Sequence, residues 1–225
     1  MPLAGTGMLL TSMNIDAADE ADFNRWYDRE HLEERVAIEG FLEARRYVAH
    51  AANPKYLSLY STATLDVLDS PAYRTRLANQ TEWSRRTMAH FMNMLRVVAR
   101  ITISKGTGRG AALGLVRLRP TADNAGAWRD ALQEKLVPQD REGIISMHLL
   151  ETEPELSGAT GDIPAVRHEG ARDWFVLIDG TRVGAVSAVI AERFTGPAAA
   201  PFPLPVSVGT YSLMWDLAKS DIASS

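Results

Sequence analysis

The sequence predicts an α+β fold in which one chain carries the same structural unit twice. Three observations support this prediction. Strand-like runs with alternating side chains and helix-like runs with a 3.6-residue period follow each other in the same order in both halves of the chain. A glycine-rich stretch at residues 106–114 separates the halves. The length of 225 residues suits two small units that share a core, without a further domain.

The first half predicts four strands and three helices. In chain order these are a strand at 7–15, a helix at 19–38, strands at 41–50 and 55–64, a short helix from 70, a second from 81 to 90, and a strand at 95–104. Asp16 or Asp19 is placed to cap the long helix, and Gly40 follows its end. Ser70 and Thr81 are placed to cap the two shorter helices.

The second half repeats this order. It predicts a strand at 112–119, a helix at 123–136, strands at 143–152 and 173–179, a helix at 181–193 and a strand at 206–217, with loops at 153–170 and 196–205. The order strand, helix, strand, strand, helix, strand is the ferredoxin-like pattern. We therefore predict tandem ferredoxin-like repeats at 1–105 and 115–225, joined by a hinge at 106–114, whose bare sheet faces pack against each other.

Composition excludes several classes of function. The chain has no cysteine, so it has no disulfide, thiolate nucleophile or cysteine-bound zinc. A net charge of -4 and a pI near 5.8 argue against a duplex nucleic-acid partner. Residues 1–10 hold no Lys or Arg, and no apolar run approaches the ~18 residues of a membrane helix. We expect a cytoplasmic protein with no membrane partner.

The helix at 19–38 holds the main catalytic candidates. His31 titrates near neutral pH and can act as an acid or a base without a cofactor. Tyr27 lies one turn before it and can donate a hydrogen bond, Glu34 lies three residues after it and Arg35 one turn after it, so all three can approach the imidazole. Glu34 either orients the imidazole or forms an ion pair with Arg45, Arg46 or an arginine of its own helix. The structural alternative is that His31 only bridges two elements. Asn24 and Trp26 are candidates for binding substrate.

The strand at 55–64 separates aromatic from aliphatic side chains by alternation. Tyr56 and Tyr60 lie on one face, and Leu57 and Leu59 lie on the other. We expect the leucines to pack under the helices and the tyrosines to line a substrate cavity.

An arginine from the neighbouring strand is also expected in the cavity. On the strand at 41–50, Arg45 and Tyr47 share a face, and an inward Arg45 would bind a carboxylate or phenolate unless it pairs with a helix carboxylate. The strand at 95–104 adds a further arginine to one face, either Arg96 or Arg100. His90 is a candidate for the mouth of the cavity.

Residues 23–35 carry a resemblance to a known family. They read Phe-Asn-Arg-Trp-Tyr-Asp-Arg-Glu-His-Leu-Glu-Glu-Arg, and Gly40-Phe41 and a strand follow. With Pro54-Lys55-Tyr56-Leu57 and Ser70-Pro71-Ala72-Tyr73, this segment resembles the EthD-like branch of the dimeric α+β-barrel superfamily over residues 8–104. The resemblance implies two ferredoxin-like sheets that close around a cavity for a small organic molecule. Single-repeat members build that barrel from two chains, and here one chain supplies both halves; a homodimer stays open.

The resemblance implies an enzyme without specifying its reaction, because its members include cofactor-free oxygenases, isomerases, dehydratases, decarboxylases and chlorite- or peroxide-using heme enzymes. We predict a cofactor-independent lyase or isomerase that acts on a small aromatic or carbonyl-bearing molecule in the barrel cavity, as in aromatic compound catabolism. The alternatives are a cofactor-free oxygenase and a non-catalytic binding protein. We predict no metal, since no second carboxylate–histidine helix is visible, and no heme, since the second half offers only His148 and His168 as ligands.

Overall fold

The structure is a computed structural model that describes residues 3–157, 170 and 172–222. The strands are β1 (Gly7–Asn14), β2 (Phe41–Ala51), β3 (Tyr56–Thr62), β4 (Met92–Gly106), β5 (Ala112–Leu118), β6 (Ile144–Thr152), β7 (Trp174–Gly180) and β8 (Ser207–Ala218). The helices are α1 (Glu20–Trp26), α2 (Leu32–Ala37), α3 (Pro71–Ala78), α4 (Glu82–Met88), α5 (Ala125–Lys135), α6 (Val183–Ile190) and α7 (Lys219–Ile222). The predicted loop at 153–170 and His168 lie largely or wholly outside the described residues.

The strands form one closed barrel in the order β1-β3-β2-β8-β5-β7-β6-β4. All eight neighbouring pairs are antiparallel. The first four strands have the order β4-β1-β3-β2, and the last four have the equivalent order β8-β5-β7-β6. This is the ferredoxin-like arrangement in each half. The predicted fold class is confirmed, and one chain closes the barrel through the pairs β2·β8 and β4·β6.

Most of the barrel interior is a packed core, and the space left between the two sheets is a cavity of about 230 Å³ at one end of the barrel, where Leu95, Leu115, Phe175 and Tyr211 are among the residues that line it. Side chains from strands of both halves meet in one buried cluster, which includes Met8, Leu10, Leu57, Leu59, Val97, Leu113, Leu150, Phe175 and Leu177. Our prediction that Leu57 and Leu59 pack under the helices was therefore wrong. Alternation places them inside the barrel and turns Tyr56 and Tyr60 outward, under the helices.

The helices cover the outer faces of the barrel. In the first half, the helical segments pack against the outward side chains of β1, β3 and β4 and form a core with them. The helical segment contributes Phe23, Trp26 and Tyr27, and the strands contribute Leu9, Met13, Tyr56, Tyr60 and Val98. In the second half, α5 and α6 do the same with Trp128, Leu132, Val176, Val186 and Ile190. Each half of the chain therefore has a core of its own between helix and sheet.

The predicted helix boundaries are largely confirmed. Ser70 Oγ accepts a hydrogen bond from the Tyr73 amide at 3.2 Å, and Thr81 Oγ1 accepts one from the Ser84 amide at 2.9 Å. Asp19 lies at the N-cap position of α1, but its side chain makes no capping hydrogen bond. The predicted single helix at 19–38 has a π-helical turn, Tyr27–His31, between α1 and α2.

One buried ion pair inside the barrel joins the two halves. Arg45 on β2 donates to Asp179 on β7 at 3.3 Å and to the Gly110 carbonyl at 3.0 Å, and the Gly110 amide donates back to Asp179 at 3.3 Å. Burial raises the pKa of Asp179 to about 6 although Arg45 opposes that rise. Because both charges are buried, neither tolerates the loss of the other.

We expect Arg45→Met to destabilise the protein at pH 7.5 by about 3 kcal/mol, because it leaves the Asp179 carboxylate buried and unpaired. The loss should be smaller at pH 5 than at pH 7.5, because without Arg45 the buried carboxyl takes up a proton at a higher pH than in the wild type, where its pKa is about 6. Arg45→Met combined with Asp179→Leu should recover most of the stability, since no charge then remains. Urea unfolding of the three proteins measures this, and a single variant as stable as the wild type would contradict the role of the pair.

Candidate active site

A π-helical turn brings three polar side chains of the long helical segment onto one face. Tyr27, His31 and Arg35 are spaced by four residues, and an α-helix would rotate the last of them by about 80° away from the first over eight residues. The wider turn at Tyr27–His31, in which the Leu32 amide donates to the Tyr27 carbonyl, takes up part of that rotation. All three residues therefore line the same cavity.

That cavity lies between the helices and the outer face of the first sheet. It has a volume of about 40 Å³, which is room for about three water molecules. Its walls come from β1, β3, β4, the long helical segment and the α3–α4 region: Leu9, Thr11, Met13, Tyr27, His31, Arg35, Tyr60, Tyr73, Leu77, Gln80, Met88, Phe91, Met94 and Arg96. We call it the His31 pocket.

The imidazole of His31 is held among aromatic rings. It stacks on Trp26 with a centroid distance of 4.1 Å and an interplanar angle of 32°, and it meets Tyr27 edge-on at 5.0 Å. The ring centroid of Tyr60 lies 6.3 Å from that of His31. His31 is 8% exposed, and its Nδ1 atom is buried with no hydrogen-bond partner. The ring is therefore fixed by packing while one nitrogen is left available to a ligand.

His31 is neutral at physiological pH. Burial lowers its pKa well below the ordinary value of 6.5, and the nearby cations Arg35 and Arg46 lower it further. A neutral imidazole offers a lone pair to an acidic proton. The site thus provides a base without a carboxylate to support it.

Hydrogen bonds fix the Trp26 indole in place. Its indole Nε1 donates to Glu30 and to Ser84, each at 3.1 Å, and Glu30 also accepts from Thr81 at 2.6 Å and from Ser84 at 3.0 Å. These bonds tie the long helical segment to the start of α4. They hold the indole in the position from which it supports His31.

Arg46 forms a second layer next to the pocket. Its guanidinium carbon lies 4.2 Å from the Tyr27 ring centroid, 5.0 Å from Phe23 and 5.1 Å from Tyr56. Arg46 is fully buried and donates to Asp28 at 3.2 Å, which neutralises it. It fixes the Tyr27 ring and lies close enough to His31 to disfavour an imidazolium.

The structure does not bring Glu34 to His31. Its Oε1 atom accepts from Arg76 at 3.3 Å, on the side that faces α3. Burial raises its pKa, and Arg76 and Arg35 oppose that rise. An ion pair with an arginine was one of the two alternatives for Glu34, but its partner is Arg76 on α3, whereas we expected Arg45, Arg46 or an arginine of the same helix.

Other predicted site residues lie elsewhere. Asn24 donates to the Tyr56 hydroxyl at 3.3 Å and accepts from Arg46, and the Tyr56 hydroxyl donates to Glu20, so these residues form a network beside the pocket. His90 is exposed and its Nδ1 lies 2.7 Å from Asp19.

Arg45 and Tyr47 lie on the opposite face of the sheet from His31, inside the barrel. Burial raises the pKa of the Tyr47 hydroxyl, and the charge of Asp179 raises it further. Since β2 alternates, it can present only one of its two arginines to each face, and the outward one is Arg46. The prediction grouped Arg45 and Tyr47 with His31; the structure does not bring them together.

Arg35 was expected to approach the imidazole side of the helix, one turn after His31, but it was not selected as a site residue. The structure places Arg35 in the same pocket as Tyr27 and His31. The π-helical turn that helps to bring the three residues together has no obvious sequence mark. Tyr73 and Gln80 were also missed, because only the tertiary packing of the α3–α4 region brings them to the pocket. Arg96, one of the two arginines expected on β4, does line the pocket.

Comparison with solved structures shows the fold. The chain is similar to an anthrone oxidase-like protein, with a TM-score of 0.60 and 10% identity over 95% of this chain and 93% of that one. It is similar to a protein named as a monooxygenase from Lactobacillus acidophilus NCFM, with a TM-score of 0.59 and 9% identity over 96% of this chain and 97% of that one. It is also similar to a protein named as a chlorite dismutase, with a TM-score of 0.57 and 13% identity over 99% of each chain. These are dimeric α+β-barrel proteins with ferredoxin-like units. No family profile and no curated protein sequence matches the chain. The EthD-like branch stays a prediction.

Because the wider group includes heme enzymes, we asked whether the described residues suit a heme. His148 faces the barrel interior, with Nδ1 3.0 Å from Ser104 Oγ and Nε2 3.0 Å from Ser146 Oγ, so neither nitrogen is free to bind iron. The His31 pocket is far smaller than a porphyrin. The described residues do not fit a heme.

Two further properties of the described part of the chain bear on the site. Within residues 3–157, 170 and 172–222, no three His, Asp or Glu side chains converge in a way that would hold a metal ion. In the same residues, no helix has the length and apolar character needed to cross a bilayer.

The buried neutral state of His31 predicts a pH dependence of stability. Its folded-state pKa lies below the ordinary 6.5, so below pH 6.5 the unfolded chain binds more protons and the folded state loses stability as the pH falls. The expected loss is about 1.4 kcal/mol per pH unit down to the folded-state pKa. In urea unfolding, His31→Asn should reduce this slope, while above pH 7 the two proteins should show the same pH dependence. An unchanged slope would show that His31 is not buried as a neutral ring.

Proposed function

We propose that this chain is an enzyme in which His31 removes a proton from a small aromatic or carbonyl-bearing molecule without a bound cofactor. One observation carries this proposal: a buried, neutral imidazole whose Nδ1 makes no hydrogen bond lines a pocket that Arg35 also lines. A base and a cation side by side suit a reaction that turns a phenol or an enolisable ketone into its anion.

The electrostatics of the pocket favour this step when substrate is bound. In the free protein an imidazolium is disfavoured by burial and by the cations Arg35 and Arg46. Proton transfer from substrate to His31 creates an anion at the same moment, and that anion lies beside Arg35. The enzyme is therefore organised for an ion pair that forms only during the reaction, which is how differential binding lowers a barrier.

The neighbouring side chains have supporting roles. Trp26 holds the imidazole plane in place through its contact at 4.1 Å. The Tyr27 hydroxyl points to Met13 Sδ at 3.9 Å, a weak acceptor, so it is available to donate to a substrate oxygen instead. Burial raises the pKa of the Tyr60 hydroxyl well above its usual range, which keeps it a proton donor in hydrogen bonds. Leu77, Met88 and Phe91 limit the access of water.

Return of the proton to a different carbon gives an isomerase, and departure of a leaving group from the anion gives a lyase. Both outcomes use only His31 and the anion-binding groups. We propose these as the first candidates for the reaction. The EthD-like assignment, a cytoplasmic location and a homodimer belong to this same proposal; no second chain is needed to complete the barrel, because one chain closes it.

The second candidate is a cofactor-free oxygenase, which the apolar part of the pocket favours. Leu9, Met13, Met88 and Met94 line it, and a volume of about 40 Å³ suits a small apolar molecule such as dioxygen. A substrate carbanion that adds to O₂ forms a C–O bond and a peroxide anion, which takes the proton back from His31. Loss of water from that hydroperoxide then gives a carbonyl product. The named structural neighbours include an oxidase-like protein and a monooxygenase.

Substitution of His31 tests the shared step. With the enolisable ketones 2-tetralone and anthrone as probes, we expect His31→Asn to slow exchange of the acidic C–H in deuterated water by 10²- to 10⁴-fold, as measured by NMR under nitrogen. His90→Asn, changed at an exposed histidine outside the pocket, is the matched control and should exchange at the wild-type rate. Enzyme-dependent consumption of O₂ in air would select the oxygenase. Equal exchange by the wild type and His31→Asn would refute His31 as the base, and binding without exchange would indicate a non-catalytic binding protein.

The lowered pKa of His31 predicts the pH profile of the reaction. Only the neutral ring accepts a proton, and the free enzyme keeps it neutral well below pH 6.5. We therefore expect kcat/KM for proton exchange to stay level from pH 8 to pH 6 and to fall only at lower pH. A profile that is half-maximal near pH 6.5 would contradict the buried, cation-flanked environment described above.

A further inference from the structure

The His31 pocket contains two positive charges and, among the described residues that line it, no negative one. Arg35 enters from α2 and Arg96 from β4, and each is 4% exposed. The other polar residues of the lining are neutral: Thr11, Tyr27, His31, Tyr60, Tyr73 and Gln80. The described wall of the pocket is therefore cationic.

Neither arginine has a carboxylate as a hydrogen-bond partner among the described residues. Arg35 Nη2 donates to the Gln80 side-chain carbonyl at 3.3 Å, and Arg35 Nη1 is buried with no partner. Arg96 Nη1 donates to the Leu156 carbonyl at 2.8 Å and Nη2 to the Tyr73 hydroxyl at 3.2 Å. Glu34, which precedes Arg35 in the chain, is bonded to Arg76 instead.

Two other buried arginines of this protein have their charge balanced by a carboxylate, as is usual for a buried cation. Arg45 pairs with Asp179, and Arg46 pairs with Asp28 and lies against three aromatic rings. A buried cation without such a partner is costly, and proteins rarely leave one unless it has a function. Arg35 differs from Arg45 and Arg46 in that it lines the His31 pocket and has no hydrogen-bonded carboxylate among the described residues.

We propose that the His31 pocket binds a ligand that carries a permanent negative charge, a small aromatic carboxylate, and that Arg35 Nη1 is the group that binds it. This inference rests on the proposed function and names the substrate class for it. Arg96, whose Nη1 and Nη2 already donate to Leu156 and Tyr73, supplies a second positive charge. The rings of Tyr27, Tyr60 and Phe91 suit the aromatic part of such a ligand.

The pocket has to adjust its shape to admit a ring, because its volume is only about 40 Å³. Three of its lining residues are methionines, Met13, Met88 and Met94, whose unbranched side chains repack at low cost. A small and a large probe are therefore both needed to test the site. Acetate with acetamide, and benzoate with benzamide, are two pairs in which each acid and its amide have nearly the same shape and differ in charge.

NMR titration of the wild-type protein in low-chloride buffer at pH 7 measures the Kd of each probe. We expect at least one acid to bind tenfold or more tightly than its amide. Arg35→Gln should remove that preference and leave amide binding unchanged, while Arg76→Gln, which alters the exposed partner of Glu34, should keep it. An equal response to acid and amide in both pairs, or an acid preference that survives in Arg35→Gln, overturns the proposal.

The melting temperature without ligand distinguishes a binding role of Arg35 from a purely structural one. If the guanidinium group is held for a ligand, Arg35→Gln should melt at the same temperature as the wild type or higher, because an unpaired buried charge has been removed. A lower melting temperature, together with unchanged acid preference in the wild type and the variant, assigns Arg35 to stability and overturns the site. The wild-type comparison of acid with amide stays decisive if the variant fails to fold.

Failure of this inference is distinguishable from failure of the proposed function. His31→Asn should keep the preference for acid over amide while losing proton exchange. If acid preference depends on Arg35 but His31→Asn exchanges protons normally, the anion site stands and the catalytic proposal falls. If His31→Asn abolishes exchange while acids and amides bind alike, the base stands and the carboxylate proposal falls.

Discussion

Closure of the barrel is the constraint on which the rest of this structure depends. When two four-stranded sheets close through β2·β8 and β4·β6, one face of each strand is turned to a shared interior and the other must be covered by helices. The interior is largely filled by apolar side chains and one buried ion pair, which leaves a cavity at one end of the barrel. The pocket that contains His31 lies instead between helix and sheet.

Within that layer the site is built by a departure from regular helix geometry. The π-helical turn at Tyr27–His31 keeps Tyr27, His31 and Arg35 directed at the same space, and the Trp26 indole, bonded to Glu30 and Ser84, supports the imidazole. Such turns are often associated with functional sites, because they cost stability that packing alone would not repay. Here the geometric irregularity and the unbonded polar atoms coincide.

The buried charges inside the barrel and those between the helices and the sheet are arranged differently. Inside the barrel, Arg45 and Asp179 satisfy each other and join the repeats. Under the long helical segment, Arg35 has no carboxylate as a hydrogen-bond partner among the described residues, and burial together with Arg35 and Arg46 lowers the pKa of His31. The first arrangement stabilises the fold. The second holds a cation and a base together at a cost in stability, which is the usual signature of a site that completes itself with a ligand.

Much of the architecture was predictable because it depends on local chemistry. Alternation marked the strands, Ser70 and Thr81 marked helix starts, and the repeated order of elements led to the ferredoxin-like halves. The structure brings the rings of Trp26, Tyr27 and Tyr60, which the sequence offered as site candidates, next to His31.

The errors arose where local pattern is ambiguous. Alternation shows that Leu57 and Tyr60 face opposite ways but does not say which way is inward, so Arg45 was assigned to the wrong side with respect to His31.

What the sequence by itself determined is the set of elements, their order and the pairing of faces along each strand, since these follow from side-chain period and capping residues a few positions apart. Only the tertiary structure decided which face meets the helices, that Glu34 bonds to Arg76, and that Arg35 and Arg96 line one pocket with no carboxylate hydrogen-bonded to either of them among the described residues. Those outcomes depend on closure of the barrel and on one extra residue in a helical turn. Both are long-range or cooperative properties that no local window of sequence contains.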